Sequence, residues 1–453
     1  MALYTDLTQG NVRGHLLRFA FPLVISNLFQ ALYNAVDMIF VGQFTNPAGL
    51  SAVSVCGPIM NILIMTISGL SVGVSIVIAA QLGQGRQDRV KAIANTCIAF
   101  YGICALALSL VGWFLTPAIL SWVNTPVSAL PGATDYLRTI FLGLLFMFGY
   151  NLIGAFQRGF GDSRSSMLFI IVATLANILL DYIFVGLMYM GPLGAAIATV
   201  MAQALSFILG LIYFRVKDHV IRFRPREIRI HKQELKYVLK IGLPSALHQL
   251  LLNLSLTIFS GIVNAFGVEA SAAYGVGVKV DSFATLPSDA INAALASFGS
   301  QNIGAKKPER AFAGLREALK ISVGIAILVA AAAFFFAPGI TALFNQDPQV
   351  IEYTTTYLHI TCFSYVFFAL VFPMTGFIRG TGNVMYPLKN VVLSQYIVRI
   401  PVALLATHLW GFTGVGLAIL AGPIFSTASY SLFIHRKKPE ILRLGAEETG
   451  PQA

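Results

Sequence analysis

The sequence predicts an all-α polytopic membrane protein: twelve transmembrane helices in two six-helix bundles, related by a parallel pseudo-two-fold repeat around a V-shaped central cleft. Three observations predict it. Apolar runs of about twenty residues or more recur along the whole chain, and that is the length a helix needs to cross the hydrocarbon core. Lys and Arg gather in alternate connections. The second half of the chain repeats the first at a nearly constant offset.

The apolar content is extreme for a chain of 453 residues: 57% hydrophobic and only 11% charged, with a mean hydropathy of +0.76. A soluble fold has too little interior to bury it. Breaks at Gly, Pro and charge clusters divide the chain into spans near 16–41, 50–80, 91–115, 135–157, 166–189, 193–214, 238–265, 271–299, 312–336, 351–377, 387–408 and 413–434. The expected organisation is an N-terminal lobe over 1–214, a basic linker over 215–237, a C-terminal lobe over 238–435 and a tail over 436–453. The start lacks a small-residue cleavage site after a short apolar core, so the first span is expected to stay as an anchor.

Charge gives the orientation. Of the 30 Lys and Arg residues, all but Arg138, Lys279 and Arg399 fall in alternate connections or at the termini. Basic residues accumulate on the cytoplasmic side, which predicts a multi-pass protein of the cytoplasmic (inner) cell membrane with both termini cytoplasmic. Trp113, Trp122 and Trp410 lie near the opposite span ends, as an interfacial belt requires. The net charge of +11 is therefore a membrane signal and not a nucleic-acid one. Even the basic, aromatic-interleaved run from Ile221 to Ile230 reads as topology and a contact for anionic lipid. Cys56, Cys97, Cys104 and Cys362 all sit inside apolar spans at no metal-like spacing, as small core residues do.

The halves repeat. Leu17-Arg-Phe-Ala-Phe-Pro22 matches Leu239-Lys-Ile-Gly-Leu-Pro244 at an offset of 222, Phe156-Gln-Arg-Gly-Phe-Gly161 matches Phe377-Ile-Arg-Gly-Thr-Gly382 at 221, and Gly191-Pro-Leu-Gly194 matches Gly411-Phe-Thr-Gly414 at 220. Tyr136-Leu137 and Tyr357-Leu358 keep the register. Six spans per copy is an even number, so both copies enter the membrane in the same direction. This is the build of an alternating-access carrier.

The chemistry is expected where the copies differ. In the first span Asn27, Gln30, Asn34 and Asp37 stand three, four and three residues apart, on one helical face. A carboxylate near the bilayer centre costs about 2.5–3.5 kcal/mol on insertion scales, so one kept there has a task. The matching residues in the second half are Leu252, Leu256 and Phe259, opposite Gln30, Asn34 and Asp37. In the fifth span Asn177 and Asp181 form an i, i+4 pair, and the position matching Asp181 is Pro401 or Val402. Ion coupling is expected in the first lobe.

Along essentially its whole length the chain resembles the multidrug and toxic compound extrusion (MATE) family. The residues that carry the resemblance are Tyr33-Asn-Ala-Val-Asp37 with Phe40-Val-Gly42, the Asn177 and Asp181 pair, Gly194-Ala-Ala-Ile-Ala-Thr199, and Gln301-Asn-Ile-Gly-Ala305. It is similar to the DinF-type branch, whose first-lobe cation site maps onto Asp37, Asn177, Asp181 and Thr199. The resemblance also implies a first-lobe cavity containing Gln30, Tyr33 and Asn151, and a first helix that can bend at Pro22. The NorM-type branch uses acids inside spans seven and ten, and this chain has none there.

The implied function is secondary active multidrug efflux: lipophilic, cationic compounds leave in exchange for protons, with sodium as the alternative ion at Asp37, Asn177, Asp181 and Thr199. Asn34 and Asp281 are expected to add to the substrate cavity. Lys279 and Asp289 place further charge in span eight, where Asp281 is the alternative partner of Arg399. No cofactor, no enzymatic activity and a monomeric state are expected. Gly275-Val-Gly-Val-Lys279 lacks the spacing of a phosphate loop, so ATP is not the fuel. The competing reading is a lipid-linked oligosaccharide flippase of similar build, which would need a row of basic residues where only Lys279 and Arg399 are available.

Overall fold

The computed structural model describes residues 4–216, 221 and 227–446, so 217–220 and 222–226 of the basic linker and the last residues of the tail lie outside the described residues. Each predicted span is a helix. They are α1 (Val12–Phe44), α2 (Pro47–Gly83), α3 (Gln87–Trp122), α4 (Leu130–Gly159), α5 (Ser163–Asp181), α6 (Gly191–Val216), α7 (Lys232–Asn264), α8 (Val268–Gly304) and α9 (Pro308–Phe335). A short α10 (Ala337–Ala342) precedes α11 (Pro348–Gly380), and α12 (Met385–Val391) and α13 (Ile400–Trp410) form one span joined by a π-helical stretch, Val392–Arg399, before α14 (Thr413–Ala446). A second π-helical stretch, Tyr182–Leu187, continues α5.

The helices outrun the apolar runs because their ends are capped beyond them. Asn46 accepts from the Gly49 amide at 2.8 Å with Pro47 at the first helical position, and Asp347 does the same for α11 ahead of Pro348. Among the described residues, eleven of the spans are long and apolar enough to cross a membrane. α8 is as long as α2 but carries Glu269, Lys279, Asp281 and Asp289. A span this polar has to face something other than lipid.

By packing, the chain forms two compact units: Met1–Thr5 with Pro22–Ala246, and Asp6–Phe21 with Leu247–Ala453. The divisions fall inside α1 and α7, beside the repeated prolines Pro22 and Pro244. The repeat itself is visible in the backbone. Gly161 and Gly382 both follow a helix end at positive φ, +75° and +84°, and the matched Gly191 and Gly411 are also at positive φ, +59° and +58°, Gly191 opening α6 and Gly411 following α13. The turns after α4 and α11 are thus matched left-handed helix stops, and Asp162 then caps α5 through the Ser165 amide.

Small residues set how closely helices approach. In the first unit Gly69 and Gly73 of α2 lie against the backbone of Ala246 and Gly242 of α7, so close that a Cβ on either glycine would stand 2.2 and 2.4 Å from the facing Cα. Gly143, Gly149 and Gly210 admit Val200, Phe207 and Ile153 between α4 and α6. Gly159 faces the Ser75 carbonyl, and its repeat mate Gly380 faces that of Ala296. The four cysteines are free, and three are buried. Arg138, an exception to the loop-charge pattern, lies over the Trp113 ring at 5.1 Å.

Candidate cation site of the first unit and polar cluster of the second

α5 is inverted relative to a soluble helix. Its buried residues are Ser163, Ser166, Thr174, Asn177 and Asp181, whereas Leu168, Leu175 and Leu179 are more than half exposed. In a bilayer the apolar side faces lipid and the polar side must find a polar place inside the protein. Asn177 and Asp181 are fully buried. Neither Asp181 oxygen, neither amide atom of Asn177 and not Oδ1 of Asp37 finds a hydrogen-bond partner. Five orphaned buried polar atoms in one small region are a costly arrangement unless a cation or proton satisfies them.

Asp37 and Asp181 are close enough to act on each other electrostatically. α1 and α6 meet beside them, where the Tyr33 hydroxyl bonds Thr199 Oγ1 at 3.0 Å. Thr199 is nearly buried, on a helix that the α4 glycine notches hold close. The α5 helix ends at Asp181, and the π-helical turn that follows brings Tyr182 edge-on to Phe40 at 6.4 Å. π-turns recur at functional sites because the extra residue redirects side chains. The structure thus brings Asp37, Asn177, Asp181, Thr199 and Tyr33 together.

The remaining sequence-predicted residues are more dispersed. Gln30 is exposed on α1, and the side chain of Asn34 lies outside what the structure describes. The Asn151 amide bonds back to the Met147 carbonyl of its own helix at 2.8 Å. Pro22 is buried within an uninterrupted α1, and its carbonyl accepts from Ser26 Oγ at 2.9 Å. One residue was missed: Tyr136 of α4 interacts electrostatically with both Asp37 and Asp181. Its repeat mate is Tyr357, and that pairing was the available signal.

In the second unit Tyr357 and Tyr365 of α11 donate to the two oxygens of Asp281, at 2.6 and 2.7 Å. Gly277, one turn before Asp281, leaves the room that the Tyr357 ring occupies. Arg399 ends the π-helical stretch of the eleventh span. Its guanidinium lies 4.1 Å from the centre of the Phe259 ring and donates to Gln395 at 3.1 Å. The position matching Asp37 therefore holds a ring that receives a buried cation. Lys279 and Asp289 are exposed on α8. Among the described residues no group of three or more His, Cys, Asp or Glu side chains could hold a metal ion.

Comparison with known proteins agrees with the repeat. The MatE family model matches the chain twice, over residues 22–183 and 244–405. The probable multidrug resistance protein YpnP of Bacillus subtilis (strain 168) is 28% identical over 447 residues, covering 98% of this chain and 99% of its own length. The multidrug export protein MepA of Staphylococcus haemolyticus (strain JCSC1435) is 24% identical, covering 90% of each. Among solved structures, an outward-facing multidrug resistance MATE family transporter of the MOP superfamily has the same fold, with a TM-score of 0.91 at 22% identity over 96% of this chain and 98% of that one. The chain belongs to the MatE family of membrane transporters.

Proposed function

We propose that this protein is a secondary active multidrug efflux antiporter of the cytoplasmic membrane, a monomer with both termini in the cytoplasm. It exports lipophilic cations by alternating access in exchange for protons, with sodium as the alternative ion. The observation that carries this reading is the buried carboxylate of Asp181 and the half-buried one of Asp37, whose Oδ1 is buried, beside the unpartnered amide of Asn177. The set is all oxygen and amide, which suits a proton or a hard cation and not a transition metal. Tyr33 holds Thr199 at its edge, and Gln30 and Asn151 are the further substrate-cavity residues of this reading. Asp281 supplies the second unit's acid.

The acids work by competition. Deprotonated, they attract a cationic drug in a setting where few other charges screen them. A proton or sodium ion arriving from outside removes that attraction, and the drug leaves. Exchange of one proton for one monovalent cation moves no net charge. The membrane potential, worth about 2.3 kcal/mol per charge per 100 mV, then drops out and the pH gradient drives transport. Bending of α1 at Pro22 on protonation is the associated movement. The names of YpnP and MepA, a multidrug resistance and a multidrug export protein, support the substrate class.

The test is efflux of a cationic dye from proteoliposomes under an imposed pH gradient or an imposed sodium gradient. Efflux with the pH gradient, lost in Asp37→Asn and Asp181→Asn, is the expected result. Efflux driven by sodium alone overturns the proton assignment, and wild-type rates in Asp37→Asn overturn the site.

A further inference from the structure

The segment that leads into α1 is extended and bound. Asp6 accepts from the Thr8 amide at 2.8 Å, Gly10 turns at φ +75°, and Asn11 caps the helix through the Gly14 amide at 3.1 Å. Between those turns four consecutive carbonyls are taken by the turn joining α8 to α9. Arg310 alone donates to three of them, Leu7 at 3.2 Å, Gln9 at 2.6 Å and Gly10 at 2.9 Å. Lys307 takes Thr8 at 3.1 Å, and Asn302 shares Leu7 at 3.2 Å. The Leu7 amide donates to Gln301 at 2.6 Å, and the Leu7 side chain is buried. A surface tail has no need of this many bonds.

The other half does the same with different chemistry. Arg89, the repeat mate of Arg310, donates twice to Glu234 in the first turn of α7, at 3.1 and 2.8 Å. Lys91 pairs with Glu227 at 2.8 Å. Thr96 donates to the Arg229 carbonyl and accepts from the His231 amide. Each repeat thus fastens the lead-in to the opposite repeat's first helix. The packing division of the chain agrees, since Asp6–Phe21 counts with the second unit and the residues up to Ala246 with the first.

We infer that Asp6–Gly10 is a strap through which the second unit steers α1, and that Arg310 is the positioning residue that fastens it. The lower end of α1 is anchored by the strap, its upper part carries Asp37, and the division falls at Phe21 and Pro22. A displacement of the second unit therefore reaches the acid along one continuous helix, with the proline as its weakest joint. The inference rests on the antiport reading. It assigns to Arg310 the coupling of movement to the ion site, with no part in holding substrate.

The experiment uses the full chain in proteoliposomes and nanodiscs, with Arg310→Ala, Arg310→Lys and Leu7→Ala. Three quantities are read: amide exchange over residues 4–12, equilibrium affinity for a cationic dye, and the maximal rate and KM of proton-driven dye efflux. Losing one charge-assisted bond of this kind is worth about tenfold or more in an equilibrium. Arg310→Ala should therefore raise exchange at Leu7 and lower the maximal rate by about tenfold, with dye affinity and KM within about twofold of wild type. Arg310→Lys, which keeps the charge but not the fork, should fall between. Exchange that rises in Arg310→Ala or Leu7→Ala while the maximal rate stays at wild type overturns the inference, and so does a matched loss of dye affinity. Wild-type protein that fails to move dye under either gradient defeats the antiport reading instead, whatever the strap does.

Discussion

Replacing Gly73 by alanine tests one of the two backbone-to-backbone contacts between α2 and α7. A Cβ there would stand 2.4 Å from Gly242 Cα and 2.6 Å from its nitrogen, and both are backbone atoms that no rotamer change can move. Restoring ordinary contact requires α2 and α7 to part by about 1 Å, and overpacking of a close-packed interior costs typically about 1–3 kcal/mol. Backbone against backbone belongs at the upper end. Alanine is better than glycine inside a helix by about 0.5–1 kcal/mol, so the expected net loss for Gly73→Ala is about 2 kcal/mol. Gly102→Ala provides the control, since its Cβ meets nothing within 4 Å. That variant should gain about 0.5–1 kcal/mol. The two substitutions are chemically identical and opposite in sign, and reversible unfolding in mixed detergent micelles measures both. Equal stability of the two variants would refute the packing argument.

Two further outcomes follow from the two acid-bearing regions. Gly277→Ala places a Cβ 2.4 Å from the Tyr357 ring, so the ring must swing and its hydroxyl must leave Asp281; thermal unfolding should register about 2–4 kcal/mol, more than Tyr357→Phe, which loses the bond alone. Tyr33→Phe removes only the bond to Thr199 and should cost about 0.5–1.5 kcal/mol, with Thr199→Val adding little in that background, as a double-mutant cycle would show.

The spans were legible because a bilayer leaves a helix so little choice: every predicted span is a helix, and Asn46-Pro47, Asp347-Pro348 and the paired glycines mark ends that apolar runs alone place several residues short. The Asn177 and Asp181 pair was legible from spacing. Thr174, Ser166 and Ser163 on the same buried face were not singled out, because a hydroxyl in a membrane helix can also bond its own backbone and carries no charge penalty to draw notice. Nothing in the local sequence joins Asp281 to Tyr357 and Tyr365, which lie 76 and 84 positions away on another helix. Arg399 over Phe259 was hidden for the same reason. Tyr136 was in view as a repeat mark, but its neighbours are set by tertiary packing that only coordinates reveal.

The exchange of lead-in segments bears on how the chain is made. A ribosome adds about 5–20 residues per second and domains generally fold from the N-terminus. The first repeat nevertheless begins with a segment, Asp6–Gly10, whose partners Gln301, Asn302, Lys307 and Arg310 do not yet exist when α1 enters the membrane. For roughly the first 300 residues, on the order of fifteen seconds to a minute, the N-terminal strap has no partner. The first repeat's own clasp, Arg89 on Glu234, forms much earlier. Assembly is therefore sequential: the second repeat is received by the first as it emerges, and the oldest part of the chain waits for the start of α9 before it is tied down.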